Sequence, residues 1–348
     1  MAKRDIIVIG ASAGGVQMLM QLCRGLPPDL EAALFAAIHT SAGGPGALSA
    51  VLDRAGPLPA RYPIDGEKIH RGRVYVAPPD YHLLVGRNRI HLTRGPKENG
   101  FRPAVDPLFR TAARAHGKRV IGVILSGSLN DGTDGLAHVK NCGGIAIAQE
   151  PTDATFPDMP ASAVANVKCD YVLPIGEIPA MLAELSGQII PGPQKMPAPK
   201  SADELPFDPA MAGTNELAAR HMAGAPTSFT CPQCGGALRE TTKGGLTKYI
   251  CHVGHSFTYE GLATGQREQL EITLWSAIRA LEEMAELRRR LAKRSRKYQM
   301  DDMAERYLSQ ADEAEHRATA LRALLLTYKP QPTAIPKRMN KPRSKARR

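Results

Sequence analysis

Ile6-Ile7-Val8-Ile9-Gly10-Ala11-Ser12-Ala13-Gly14-Gly15 is the stretch on which the fold turns. A short, unbroken β-branched run reads as a strand buried on both faces, the kind a parallel sheet uses. The small residues behind it let the chain turn sharply from strand to helix, with Ser12 at the turn in the manner of a nucleophile elbow. Such a turn presents the hydroxyl at the N-terminus of the next helix, where unpaired N–H groups and the helix dipole favour developing negative charge. A dinucleotide-binding turn would carry glycine where Ser12 stands. Taken alone, the motif is equally a phosphate-binding or merely connecting turn.

Two further apolar runs end the same way. Ala33-Ile38 is followed by His39, and Val120-Leu125 runs into Ser126-Gly127-Ser128-Leu129-Asn130-Asp131-Gly132. In a parallel sheet with helical crossovers all strand C-termini open onto one edge, so residues far apart in sequence can meet there. Ser12, His39 and Asp131 are therefore candidates for nucleophile, base and orienting carboxylate. Singly, each has a plain alternative: His39 a packed structural residue, Asp131 a helix cap. Their convergence on one edge argues for chemistry, whereas His82, His91, His116 and His138 fall in hairpin or helix contexts away from it.

Residues 5 to about 187 alternate short strand-like runs with helical patterns. The runs are Ile6-Ile9, Ala33-Ile38, Val74-Ala77, Val120-Leu125, Ile145-Ala148 and Tyr171-Leu173, and the alternation predicts an α/β fold. Tyr81-Val85 and Arg89-Thr93, flanking Gly86-Arg87-Asn88, read as a hairpin. The expected architecture is a doubly wound parallel sheet with a mixed, antiparallel edge over residues 1–189. Prolines 191, 193, 197, 199, 206, 209 and 226 mark a linker over 190–228. A compact module is expected at 229–262 and a helical hairpin at 263–328, from the apolar stripes Leu270, Leu274, Ala277, Leu281, Met284, Leu291 and Tyr307, Ala311, Ala314, Ala318, Leu321, Leu325. The same stripes would also serve self-association as half of a coiled-coil dimer.

The net charge of +11 is carried mostly by the end of the chain: eight basic and no acidic residues follow from Lys329, leaving +3 for everything before. A basic tail over 329–348 without interleaved aromatics reads as disordered and solvating, and nucleic-acid binding is disfavoured. No apolar run approaches the roughly 18 residues of a membrane span, and Gly10 interrupts the stretch after Lys3-Arg4 too early for a secretory segment. Three of the six cysteines cluster at metal-ligand spacing and three are scattered, which is no disulfide framework. The chain reads as cytoplasmic.

Residues 5 to about 187 resemble the catalytic domain of the chemotaxis protein-glutamate methylesterases (CheB). The resemblance rests on Gly10-Ala11-Ser12-Ala13-Gly14-Gly15, Ala37-Ile38-His39, Gly72-Arg73-Val74-Tyr75-Val76-Ala77-Pro78-Pro79 and Arg102-Pro103-Ala104-Val105-Asp106-Pro107-Leu108-Phe109. It continues through Leu125-Ser126-Gly127, Asn130-Asp131-Gly132, Ala148-Gln149-Glu150 and Asp158-Met159-Pro160. It implies a parallel α/β core, a Ser-His-Asp triad in that order, and hydrolysis of glutamate γ-methyl esters on a methylated chemoreceptor or other methylated protein, with glutamine deamidation open to the same triad. The α/β-hydrolases order their triad differently. Departures are Ala13, where the family usually has threonine, and Ser128-Leu129, where its loop usually reads Met-Gly. The family's methionine is thought to lend its backbone N–H to the oxyanion hole, and Ser128 falls there. The receiver domain that precedes the family's catalytic domain is absent ahead of Ser12, so regulation is expected to differ.

Cys231-Pro232-Gln233-Cys234-Gly235-Gly236 and Tyr249-Ile250-Cys251-His252-Val253-Gly254-His255 pair two knuckles. Cys231, Cys234 and Cys251 with His255 or His252 would complete a tetrahedral structural Zn2+ site without an open catalytic position. The three-residue gap after Cys251 favours His255, and C-x-x-G-H endings are familiar in standalone relatives of the methylesterase. The expected function is a serine methylesterase. The alternative is a non-enzymatic signalling scaffold on a degenerate methylesterase fold, binding partners through the zinc ribbon and helices.

Overall fold

The computed structural model describes residues 3–39, 47–190, 224–243 and 246–327. Most of the expected linker and all of the basic tail lie outside them. Packing divides the chain into Met1–Gly265 and Gln266–Arg348.

The first unit is built on seven strands: β1 (Ile6–Ala11), β2 (Ala33–Ile38), β3 (Ala60–Arg61), β4 (Arg73–Val76), β7 (Val120–Ile124), β8 (Ile145–Gln149) and β9 (Tyr171–Leu173). Their order is β3-β4-β2-β1-β7-β8-β9, and each neighbouring pair is parallel. Alternating side chains serve two cores. Ile7, Ile9, Leu34, Ile38, Ile121 and Val123 pack with α1 (Gly15–Gly25), α2 (Leu48–Ala55) and α6 (Ile178–Gly187). Ile6, Val8, Phe35, Tyr75 and Ile124 pack with α3 (Val105–His116), α4 (Thr133–Asn141) and α5 (Asp158–Asn166). Burial on both faces explains why these strands read as continuous apolar runs. The strand order reverses beside β1, which is where a doubly wound sheet opens a crevice at its C-terminal edge.

Among the described residues this sheet lacks the antiparallel edge strand expected for it. The hairpin exists, as β5 (His82–Val85) and β6 (Ile90–Thr93), but forms a separate two-stranded sheet. Leu83, Val85 and Ile90 bury into the core shared with α3, so their apolar side chains are satisfied by that helix layer rather than by pairing with the main sheet.

The C-terminal part of this unit is a four-stranded antiparallel sheet, β10 (Ala225–Thr230), β11 (Ala237–Lys243), β12 (Leu246–Cys251) and β13 (Ser256–Phe257). Its first strand starts inside the stretch expected as linker. Cys231, Leu238, Tyr249, Cys251, Phe257 and Leu262 form its small core. Ser256 bridges Glu98, and the Asn99 N–H donates to the Ser256 carbonyl at 2.7 Å, which docks the module on the segment entering α3.

The second unit is a pair of helices, the body of α7 (Tyr259–Lys297) and α8 (Asp301–Thr327). Arg289 pairs with Glu315, and Arg322 with Glu282, across them. On α8 the buried positions are Ala304, Ala311, Ala314 and Ala318, in line with the expected stripe. On α7 the stripe is displaced: Ile278, Ala285 and Ala292 are buried, while Leu270 and Met284 are exposed. Buried alanines let two helices approach closely, so the seam selects small residues where hydrophobicity alone selects large ones.

Candidate active site

Each candidate residue stands just past a C-terminal strand end. Ser12 follows β1, and its N–H donates to the Ser126 carbonyl at 3.0 Å. Gly14 has φ 70°, and a Cβ there would come within 3.1 Å of Phe156 Cδ2 and Ser126 Oγ, so the turn into α1 requires glycine. His39 follows β2, its N–H donating to the Ala11 carbonyl at 3.4 Å. Asp131 lies in the loop between β7 and α4. Gly132 closes that loop at φ 88°, where a Cβ would lie 2.6 Å from Val105 and Ile124 side-chain atoms.

The structure brings the three side chains together. His39 Nδ1 is 2.9 Å from Ser12 Oγ, and Nε2 is 2.7 Å from Asp131 Oδ2. With the Nε2 proton donated to the carboxylate, Nδ1 presents its lone pair to the serine hydroxyl. The His39 and Asp131 side chains are only 5% and 1% exposed, so their charges are weakly screened by water.

Asp131 is held at the N-terminus of α3. Oδ2 accepts the Val105 N–H at 2.7 Å. Oδ1 accepts the Gly132 N–H at 3.0 Å, Asn99 Nδ2 at 3.1 Å and the Asp106 N–H at 3.3 Å. Burial would raise its pKa, but the hydrogen bond from His39, with those from Val105 and Asn99, lowers it to about 2. The carboxylate is therefore ionised at neutral pH, and the helix dipole favours that charge.

Sequence reasoning missed two members of this site. Asn99 is the side-chain donor just described. Phe101 stacks flat on the His39 ring, centroids 3.7 Å apart and planes 7° from parallel. Their one sequence signal is proximity to Arg102-Pro103-Ala104-Val105, which supplies the α3 N-terminus. The altered Ser128-Leu129 loop carries Leu129 at φ 64°, a left-handed conformation costly for a branched side chain.

A buried charge cluster backs the site. Lys248 Nζ lies 2.8 Å from Asp134 Oδ2, 3.0 Å from Asp106 Oδ2 and 3.9 Å from Glu98 Oε2. Arg110 makes a two-pronged pair with Glu98 at 2.9 and 2.6 Å. Burial pushes the Asp106 carboxyl up to about 7 against the pull of Lys248. Burial works against the Lys248 ammonium too, yet Asp106 and Asp134 hold it above the usual lysine range.

Away from this cluster, Cys231, Cys234 and Cys251 Sγ and one His255 nitrogen lie within 4.8 Å of one another. His255 Nδ1 is 3.6 Å from Cys231 and from Cys251 Sγ, and Cys234 and Cys251 Sγ are 3.7 Å apart. Tetrahedral zinc, with bonds of about 2.3 Å to sulfur and about 2.0–2.1 Å to nitrogen, sets neighbouring donors about 3.6–3.8 Å apart. The residues present fit that ion. His252 stands outside the group, its ring over Gly236.

A cavity of about 490 Å³ opens where β1 and β2 begin, lined by Asp5, Lys68, Arg71, Arg89 and Arg119 among others. It lies at the other edge of the sheet from the triad.

A family model described as CheB methylesterase matches residues 7–182, from β1 into α6. The chain belongs to the CheB methylesterase family. A protein-glutamate methylesterase/protein-glutamine glutaminase 2 from Anaeromyxobacter dehalogenans is 40% identical over 186 residues, covering 53% of this chain and 54% of that protein. A Leptospira interrogans relative is 35% identical over 182 residues, covering 52% of this chain and 94% of its own. The crystal structure of the Thermotoga maritima CheB methylesterase catalytic domain superposes with a TM-score of 0.51 at 35% identity, covering 53% of this chain and all of that one. The chain spans about half the length of the first curated relatives it matches. The CheB methylesterase match ends before the Cys/His module and the helices.

Proposed function

We propose that this chain is a protein-glutamate methylesterase. The observation that carries the reading is the continuous Ser12–His39–Asp131 hydrogen-bond chain at the C-terminal edge of a CheB-type sheet. Ser12 Oγ attacks the γ-ester carbonyl carbon while its proton passes to His39 Nδ1, and the carbonyl oxygen becomes a tetrahedral oxyanion. Backbone N–H groups at the start of α1, with that of Ser128, are the proposed oxyanion donors; one such donor is worth about 3 kcal/mol. Collapse expels methanol, which takes the proton from His39. Water, deprotonated by His39, then cleaves the acyl-serine to give glutamate. A glutamine side chain would follow the same route and release ammonia.

The partner in this reading is a methylated chemoreceptor or another methylated protein, met in the cytoplasm. None of the six cysteines is paired with another, which supports that compartment. Zn2+ on Cys231, Cys234, Cys251 and His255 is proposed as a structural ion, its ligand set leaving no position for catalysis.

The test is methanol release from methylated chemoreceptor cytoplasmic fragments by the native protein and by Ser12→Ala. Release that vanishes with the substitution is expected. Equal release from both proteins would remove Ser12 as nucleophile, and none from either would remove this substrate.

A further inference from the structure

The Asp131 loop is gripped by the Cys/His module. Asn99, which donates to Asp131 Oδ1, is itself held at both ends: its N–H donates to the Ser256 carbonyl at 2.7 Å, and its Oδ1 accepts the Thr258 N–H at 3.0 Å. One residue before the aspartate, Asn130 Oδ1 accepts the Thr258 hydroxyl at 2.7 Å, and Asn130 Nδ2 donates to Glu260 at 2.7 Å. Behind the aspartate, Lys248 holds Asp106 and Asp134. Asp106 lends its own N–H to Asp131.

These contacts bracket one metal knuckle. Lys248 is three residues before Cys251, and Ser256, Thr258 and Glu260 follow within five residues of His255. Whatever fixes Cys251 and His255 therefore fixes the clamp. We propose that the module is a working part of the esterase site, with Thr258 and Lys248 as positioning residues that hold the Asp131 carboxylate on His39 and so set the rate at which Ser12 attacks. The proposal rests on the esterase reading.

Two physical needs explain such a clamp. Leu129 sits in a left-handed conformation, which persists only where neighbours over-determine the loop; Asn130, the next residue, is pinned on both sides of its amide. The second need is charge. The groups facing Asp131 and His39 from the packed elements are Glu98 ahead of α3, Asp106 and Arg110 on α3, Asp134 and His138 on α4, Lys248 on β12 and Glu260 at the start of α7. Without Lys248, Arg110 is the one permanent cation among these groups left to face the buried acidic side chains of Glu98, Asp106, Asp134 and Asp131. Each repels the others at low dielectric.

The test follows the rate at which a fluorophosphonate labels Ser12 in the full-length protein as a function of pH. Ser12→Ala is the blank, and circular dichroism and zinc content are checked for every variant. Thr258→Val loses the hydroxyl bond to Asn130 and also the 3.2 Å bond from the Gly261 N–H that caps α7. Its labelling is expected to slow about 10–100-fold, the range for a hydrogen bond in a charged network. Thr258→Ser keeps both bonds and restores most of the rate. Lys248→Met also labels more slowly, and its acid limb moves to higher pH, because a buried cation is lost behind the Asp131 carboxylate. Variants that fold and label at the native rate with the native limb overturn the proposal alone. So does equal slowing in Thr258→Val and Thr258→Ser with an unmoved limb in Lys248→Met, which marks a structural role only. A native protein that the probe does not label at Ser12 overturns the esterase reading as well.

Discussion

Two hydrogen bonds fix the edge of the His39 ring, but rotation about the line joining its nitrogens is checked by Phe101, stacked 3.7 Å away. An aromatic contact of this kind is worth about 1 kcal/mol, so Phe101→Ala is expected to lower kcat about fivefold with KM little changed. Steady-state methanol release measures this, and an unaltered kcat would show that the stack does not orient the base. Ser12, His39 and Asp131 were legible because each follows a strand whose apolar run is visible in the sequence. Asn99 and Phe101 were not, because the segment before α3 has no periodicity and its residues gain their roles only through tertiary packing. For the Cys/His group the three-residue gap after Cys251 favoured His255 over His252, and His255 is the histidine that lies with the three cysteines.

Among the elements, strands buried on both faces were the easiest to read, and β1, β2, β7 and β8 stand where their apolar runs lie. The hairpin was recognised but misplaced: two short runs flanking Gly86-Arg87-Asn88 tell that the strands pair with each other, not which layer buries them. The α7 stripe was displaced because alanine carries little hydrophobic signal and the seam is built on Ile278, Ala285 and Ala292. The sheet β10–β13 has so small an apolar core that the proposed zinc would be its main cross-link. Structural zinc contributes about 10 kcal/mol or more in comparable small modules. Chelation is therefore expected to open amide hydrogen exchange across 225–257 while the protection of β1, β2 and β7 persists. Uniform loss of protection would mean that the core itself depends on the module.

For the whole molecule, stability should change little with pH until strongly acid conditions. Asp106, raised to about 7 by burial, favours the folded state while protonated, so its contribution is full below about pH 4 and lost as pH rises through 7. His116, lowered to about 4 by burial and Arg119, works the opposite way, its contribution growing as pH rises from 4 to 6.5. The two shifts are of similar size and nearly cancel. Below about pH 4 the depressed carboxylates remain: Asp131, at about 2, contributes about 2–3 kcal/mol above its unfolded pKa that is lost as pH falls through 2, and Asp134 acts in the same direction. Urea midpoints should thus be flat from about pH 4.5 to 7 and fall steeply below 4; a steep slope within the flat interval would show that one of the two buried groups titrates otherwise. The clamp on the aspartate loop has a last consequence, in time rather than in energy. Thr258 and Glu260 leave the ribosome about 246 residues after Ser12 or later. Domains fold as they emerge, so the strands around Ser12 can be assembled on the ribosome well before the residues of the proposed clamp are available to close on Asp131.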